Sequence, residues 1–436
     1  MFSKGVSAAD PKAAVIRALM PGLAETVEES AVQALTGSEC PIQIIAVGKA
    51  AIPMTEGALY CISKDRLKTL PVVVTNYENA LSHPDMHILG ASHPIPNEDG
   101  LLAARIIAAT AADTNDNGLI LALISGGASS LAPMPSPPIS LSDKQEVTRL
   151  LLMSGADIHE TNTVRKHLSD IKGGGLARLA YPTALRTLIL SDVPSNDLST
   201  IASGVTAGDS TTFPEAVSIL QQKRIWHHIP ASVRAHLEQG CSGLVEETPF
   251  PDDPLFNNTL STIIASNRTS LKAVSDFAKA AGYNVEIVRE MLIGEARLAG
   301  QEFALNITKP VTYPTAYIAG GETTVTVTGS GSGGRNQELA LACALAFQSR
   351  SSPNHWVFLS GSTDGIDGPT NAAGGLVDSD TTTRIRVTGY DPSALLANND
   401  SYHALRHAND LLITGPTGTN VADLQILLTY PKGTEI

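Results

Sequence analysis

The charged side chains of this sequence that stand where chemistry can use them are Lys49, Asp192, Arg335 and the pair Asp364 and Asp367. Each lies beside glycines or small polar residues. In Val47-Gly-Lys-Ala-Ala51 the lysine follows an apolar run, so its ammonium could meet a phosphate or a developing oxyanion. The spacing is not that of a P-loop, because Gln43 occupies the place of the first glycine and no Ser or Thr follows the lysine. A solvated lysine opening a helix would read alike. Asp192, after Leu-Ile-Leu-Ser, is placed to accept a hydroxyl proton, to help hold a metal, or merely to cap the turn before Pro194. Asp364 and Asp367 share a glycine-rich loop that suits a hard cation such as Mg²⁺, although turn aspartates would look similar.

Glycine-rich segments supply candidate anion sites. In Ser125-Gly-Gly-Ala-Ser-Ser130, residues Ser125, Gly126, Gly127, Ser129 and Ser130 offer N–H donors and hydroxyls in a compact arc. The nucleophile elbow G-x-S-x-G is absent there, which disfavours a serine hydrolase. Asn162, Arg165 and Lys166 lead into a second such segment, where Lys172 and Gly173 could hold a carboxylate or phosphate, or only pack tightly. The third is Thr323–Phe347, which reads as strand, glycine loop and helix: a β-branched run, then Gly329-Ser-Gly-Ser-Gly-Gly334, then Arg335. It would present the N–H groups of Gly333 and Gly334, with Asn336 and Glu338 in the first helical turn, to a phosphate. Gly329, Gly331 and Gly334 also fit G-x-G-x-x-G. The carboxylate a dinucleotide fold needs about 20 residues later is missing, since after Glu338 the next is Asp364. Histidines 83, 87 and 93 are close in sequence, but Pro84 and Pro94 prevent a regular helix from aligning them as metal ligands. They read as structural or substrate-lining.

These residues need elements to hold them, and short apolar runs ending in small polar residues recur along the chain. Ile42–Val47, Leu119–Ile124, Leu185–Leu190, Thr262–Ala265, Thr315–Ala319 and His355–Leu359 read as strands. Helix-period stretches lie at Gly100–Ala112, Asp143–Ser154, Thr269–Ala281 and Ala296–Asn306, giving the alternation of an α/β protein with a parallel sheet covered on both faces. Turn formers crowd Gln239–Asn258, which places a boundary there: a domain of residues 1–245 and another of 246–436.

The whole chain sets outer bounds. Its 436 residues suffice for two or three domains, and 17% charged with 4% aromatic residues implies an interior of Ala, Leu, Ile and Val. A net charge of −13 offers nucleic acid or anionic lipid no general attraction, so any phosphate must be met locally. Cys40, Cys61, Cys241 and Cys343 show no disulfide or zinc spacing, and no run approaches a membrane span or a signal peptide, so a soluble cytoplasmic protein is expected.

Assembled, the sequence resembles the glycerate 2-kinase family, the class II glycerate kinases with a C-terminal MOFRL domain. The motifs are Val47–Ala51, Ser92-His-Pro-Ile-Pro-Asn97, Ser125–Ser130, Thr163-Val-Arg-Lys166 with Ile171–Ala177, and Leu190-Ser-Asp-Val193. Gly320-Gly-Glu-Thr-Thr324, Gly333–Glu338, Gly361–Pro369 and Thr414–Asn420 follow in the C-terminal half. The resemblance implies a Rossmann-like N-terminal domain and a smaller α/β C-terminal domain, with the active site in the cleft between them. It further implies transfer of the γ-phosphoryl group of ATP, with Mg²⁺, to the 2-hydroxyl of D-glycerate, giving 2-phosphoglycerate. Lys49, Asp192 and Arg335 inherit catalytic roles from their motifs, and Asp364 and Asp367 are the expected metal ligands. A homodimer is an assembly this reading admits. Some relatives carry a hydroxypyruvate reductase label, which makes an NAD(P)H-dependent reductase the alternative. A catalytically silent nucleotide or sugar-acid sensor is a reading of another class.

Overall fold

The computed structural model describes residues 1–20, 40–114, 118–305, 310–349 and 354–431, and the chain divides into two compact units. The first is Pro11–Ile264; the second joins Met1–Asp10 to Ala265–Ile436. This division differs from the expected 245/246 boundary at both ends. The turn-rich stretch after Gln239 leads into a further strand of the first sheet, and the first residues fold into the second unit.

The first unit is built on a six-stranded sheet of order β3-β2-β1-β4-β5-β6: β1 (Ile42–Val47), β2 (Val72–Asn76), β3 (His87–Ala91), β4 (Leu119–Ile124), β5 (Ala184–Leu190) and β6 (Thr259–Ala265). Strands β1 to β5 pair in parallel, with Val47 opposite Ile124 at the ends of β1 and β4. Both central strands are buried along their whole length, as their unbroken apolar runs require when helices cover both faces. Ile45, Val47, Val74, Ile120, Ile124 and Ile189 share one core with Ala103, Ala104 and Ile107 of the helix Glu98–Ala112. From β1 the chain proceeds outward to β2 and β3, and from β4 outward the other way. The strand order therefore reverses between β1 and β4, and the carboxyl ends of those two strands form a switch-point crevice.

The second unit has its own six-stranded sheet, of order β11-β10-β9-β12-β8-β7: β7 (Asn284–Leu292), β8 (Thr315–Gly321), β9 (Asn354–Ser362), β10 (Gly374–Asp378), β11 (Leu411–Leu412) and β12 (Asp423–Pro431). Only β7 and β8 pair in parallel; β12 runs antiparallel to both β8 and β9, and β10 to β9 and β11. The expected parallel alternation thus holds for the first unit and gives way to a mixed sheet in the second. The N-terminal helix Phe2–Ala8 is held here because Phe2 joins Leu271, Val274 and Leu424 in one cluster, and Ser270 Oγ donates to Gly5 O at 2.8 Å. Among the described residues no helix is long and apolar enough to cross a membrane.

Candidate active site

In the first unit, Lys49, Ser125–Ser130 and Asp192 follow β1, β4 and β5 at the carboxyl edge of the sheet. Gly48, at φ 134, turns the chain out of β1 in a conformation few other residues adopt, and its backbone packs on Ser125. Two bonds knit the loops together. Lys49 N donates to Gly126 O at 2.9 Å, and Ala50 N donates to Ser125 Oγ at 3.1 Å. Behind them, Asn79 Nδ2 donates to Lys49 O at 3.0 Å.

The two glycines of the loop are required by what lies against them. A Cβ on Gly126 would land on Asp192 Oδ2. One on Gly127, itself at φ 86, would stand 3.0 Å from His93 Cδ2 and 3.5 Å from Lys49 Cγ. Lys49, His93 and Asp192 therefore converge on Gly126 and Gly127. Burial raises the Asp192 carboxyl above the usual aspartate range, opposed by its own backbone N–H and by the Lys49 charge. Burial and Lys49 together hold His93 below the ordinary histidine value, with Glu78 opposing, so the imidazole is neutral near pH 7. Both carboxylate and lysine sit where sequence reading expects them. His93 is drawn in by the turn after β3, which Asn97 fixes by accepting from Ser92 N and Gly100 N.

The other end of the loop meets cations. Arg165 Nη2 donates to Ser129 Oγ at 2.6 Å, and Lys172 Nζ donates to Ser129 Oγ at 2.7 Å and to Ser129 O at 2.9 Å. The two glycine-rich segments that sequence reading treats as separate candidates are thus one cluster. Ser130 turns its hydroxyl back onto Gly127 O, and Gly173, at φ 54, donates its N–H to Ser203 O at 3.0 Å.

In the second unit the expected phosphate loop has a different character. Thr323–Thr328 forms no strand beyond an isolated bridge at Thr324, and the N–H groups of residues 328–332 are already taken. Thr328 N and Gly329 N donate to Asn399 Oδ1, Ser330 N to Asn398 Oδ1, Gly331 N to Asn398 O, and Ser332 N to Asp400 Oδ1. The helix Arg335–Gln348 is capped from within: Asp367 Oδ1 accepts from Asn336 N at 3.1 Å and its Oδ2 from Gln337 N at 2.8 Å. Gly334 has no side chain because Asp367 fills that space, and Gly333 packs on Ser401. Asn336 Oδ1 accepts from Ser360 Oγ, and Glu338 accepts from Arg297 and Asn399, all in the interior.

Arg335 is fully engaged as well. Its Nε and Nη2 donate to the two oxygens of Asp423 at 2.6 and 2.9 Å, and its Nη1 lies 2.8 Å from Glu322 Oε1. Burial pushes Asp367 up to about 6, against the two backbone N–H groups that favour its charge. Asp364 Oδ1 accepts from Ser362 Oγ and Ile366 N. Among the described residues, no group of three or more His, Cys, Asp or Glu side chains is gathered as a metal site. Asp367, with both oxygens on backbone N–H groups, does not fit the ligand role expected of it.

Comparison with known proteins matches two families, one in each half of the chain. Residues 1–238 match the domain of unknown function DUF4147, and residues 315–423 match the MOFRL family. A glycerate 2-kinase of Pyrococcus horikoshii is 38% identical over 99% of this chain and 96% of its own. A protein of Agrobacterium vitis with a provisional hydroxypyruvate reductase name is 39% identical over 98% of this chain and 93% of its own. The crystal structure of a glycerate kinase from Thermotoga maritima superposes with a TM-score of 0.85 at 38% identity, covering 98% of this chain and 97% of that one.

Proposed function

The chain belongs to the glycerate 2-kinase family, and from that premise we propose that it phosphorylates D-glycerate at the 2-hydroxyl with ATP, using the Lys49, His93 and Asp192 group as the acceptor site. The convergence of Lys49 and Asp192 on Gly126 and Gly127, at the switch point of a parallel sheet, carries this reading.

Phosphoryl transfer asks the protein mainly to position its reactants and to balance charge. Asp192 supplies the first need at the acceptor: its carboxylate receives the proton that the 2-hydroxyl releases as its oxygen bonds to the γ-phosphorus, while the bond from that phosphorus to the β–γ bridging oxygen breaks and ADP leaves. A carboxyl raised by burial is a better base for an alcohol than a solvated aspartate. Lys49, anchored through its backbone to the same loop, neutralises charge on the transferring group. Arg335 is assigned to phosphate charge also; Asp423 orients its guanidinium, and its contact with the half-exposed Glu322 is the one exchanged. Mg²⁺ is the companion expected for ATP, to which it would supply charge neutralisation on the phosphate oxygens. Asp364, with Oδ2 outside its two hydrogen bonds, suits such an ion better than Asp367. The glycine loop gives the reductase alternative little support, because the N–H groups of Gly329, Ser330, Gly331 and Ser332 are held by residues 398–400 and the ribose carboxylate about 20 residues onward is missing.

The test is ATP consumption by purified protein with Mg²⁺ and D-glycerate, the product being offered to enolase, beside an assay of NAD(P)H oxidation by hydroxypyruvate. Glycerate-dependent ATP use with an enolase-competent product is expected. NAD(P)H oxidation with silent ATP would overturn the assignment.

A further inference from the structure

Two buried lysines and a half-buried arginine are gathered in the first unit. Lys172 is 1% and Lys144 4% exposed, while Arg165 is half-buried beside them. Among the described residues none of the three has a carboxylate within ion-pair distance. Lys144 Nζ donates to Leu168 O at 3.2 Å, and the other two meet at Ser129. The neighbouring Lys166 provides the contrast, for it is equally buried and has Asp209 at 3.2 Å. Burying like charges without an ion-pair partner is costly, and the cost shows: desolvation first and then repulsion from Arg165 push both lysines well below their ordinary value, with Lys144 adding to the effect on Lys172 and Asp170 opposing it at Lys144.

The place where they meet is built with care. Ser203 Oγ lies 3.0 Å from Ser129 Oγ and donates to Asn162 Oδ1 at 3.1 Å. To put it there, two consecutive non-glycine residues, Ala202 and Ser203, adopt the left-handed region at φ 51 and φ 57. Strain of that kind persists only where the surroundings over-determine it. A cavity of about 780 Å³ is lined by Ser129, Arg165 and Lys144 and by apolar residues including Pro94 and Ile95, next along the chain from His93. Ser129 and Arg165 are therefore reachable from outside, and Lys172, which does not line the cavity, backs them through its bonds to Ser129.

We propose that Arg165 and Lys172, gathered on Ser129, form the subsite that takes the carboxylate of the substrate, and that Arg165 sets specificity for an acid over a neutral polyol. This rests on the phosphotransfer reading above. Gly126 and Gly127 at one end of the loop carry Asp192, and Ser129 at its other end carries the cations. A short 2-hydroxy acid presents its hydroxyl and its carboxylate to the two ends at once. The missing counter-ion is the substrate's own, and the cavity has room for a methyl ester, so discrimination against the ester is by charge and not by size.

The experiment compares wild type with Arg165→Gln and Arg165→Lys, using D-glycerate and its methyl ester at saturating ATP. Arg165→Gln should raise KM for D-glycerate by about 10²-fold. It should leave KM for ATP unchanged and abolish the preference for acid over ester, with Arg165→Lys restoring part of it. Thermal denaturation and ATP affinity establish that the variants fold. An unchanged acid-to-ester ratio in a folded Arg165→Gln protein would overturn the subsite, and a rise in KM for ATP alone would reassign the cluster to nucleotide phosphate and overturn it too. Loss of the phosphotransfer reading would appear separately, as wild type without glycerate-dependent ATP use.

Discussion

At the scale of single residues, Gly126 decides more than its size suggests. Its φ is not in the left-handed region, so what excludes a side chain is Asp192 Oδ2 lying where the Cβ would go. Gly126→Ala should push the carboxylate off its position and lower kcat by about 10²-fold, since small displacements of a reacting group cost that much. Melting temperature and ATP affinity should stay near wild type; an unchanged kcat would remove Asp192 from contact with the reacting hydroxyl. Asp192 also sets a pH dependence. It acts ionised, and burial raises its pKa, so activity should fall as pH drops through a midpoint above the ordinary 3.8 of aspartate. A profile of kcat/KM from pH 4 to 8 measures it, and an acid limb at or below 3.8 would contradict the role.

Elements explain which of these residues sequence could show. Lys49 and Asp192 were legible because β1 and β5 announce themselves as apolar runs, and a parallel sheet brings the carboxyl ends of its strands to one edge. Thr323–Thr328 misleads for the complementary reason. Its β-branched residues favour a strand, yet β8 already has β7 on one side and β12 on the other, so no sheet edge is open beside it. The N–H groups of Thr328 and of Gly329–Ser332 go to Asn398, Asn399 and Asp400 instead, partners about seventy residues away that no local pattern reveals. Arg165 and Lys172 were visible as cations near glycines, but their meeting at Ser129 depends on the left-handed turn at Ala202 and Ser203, which nothing in those residue types signals.

The same logic makes the Asp367 cap testable. Its folded pKa of about 6 exceeds the 3.8 of an unfolded aspartate, so the folded state holds the proton more tightly. The stability this contributes is complete below pH 3.8 and lost as pH rises through 6, an effect of about 3 kcal/mol. Asp367→Asn cannot titrate. The stability of wild type relative to this variant, from denaturant melts, should therefore fall between pH 4 and pH 7. A constant difference would show that the carboxylate pays no burial cost in the fold.

On the scale of the whole molecule, the chain carries a net charge of −13 while the substrates proposed for it are anions. Its long-range field repels what its local cations must bind. Those cations are sheltered: Lys172 and Lys144 are buried, and buried charges are screened much less than exposed ones. Salt should therefore weaken the repulsion more than the attraction. At 0.01 M ionic strength the Debye length is about 30 Å and the net charge is felt across the surface; at 0.15 M it is about 8 Å and the approach is nearly neutral. kcat/KM for D-glycerate, measured at fixed free Mg²⁺ and saturating ATP, should rise modestly, by less than about threefold, over that range. A steep fall would mean that an exposed positive surface steers the substrate, and the buried cluster at Ser129 would then be the wrong place to look for its carboxylate.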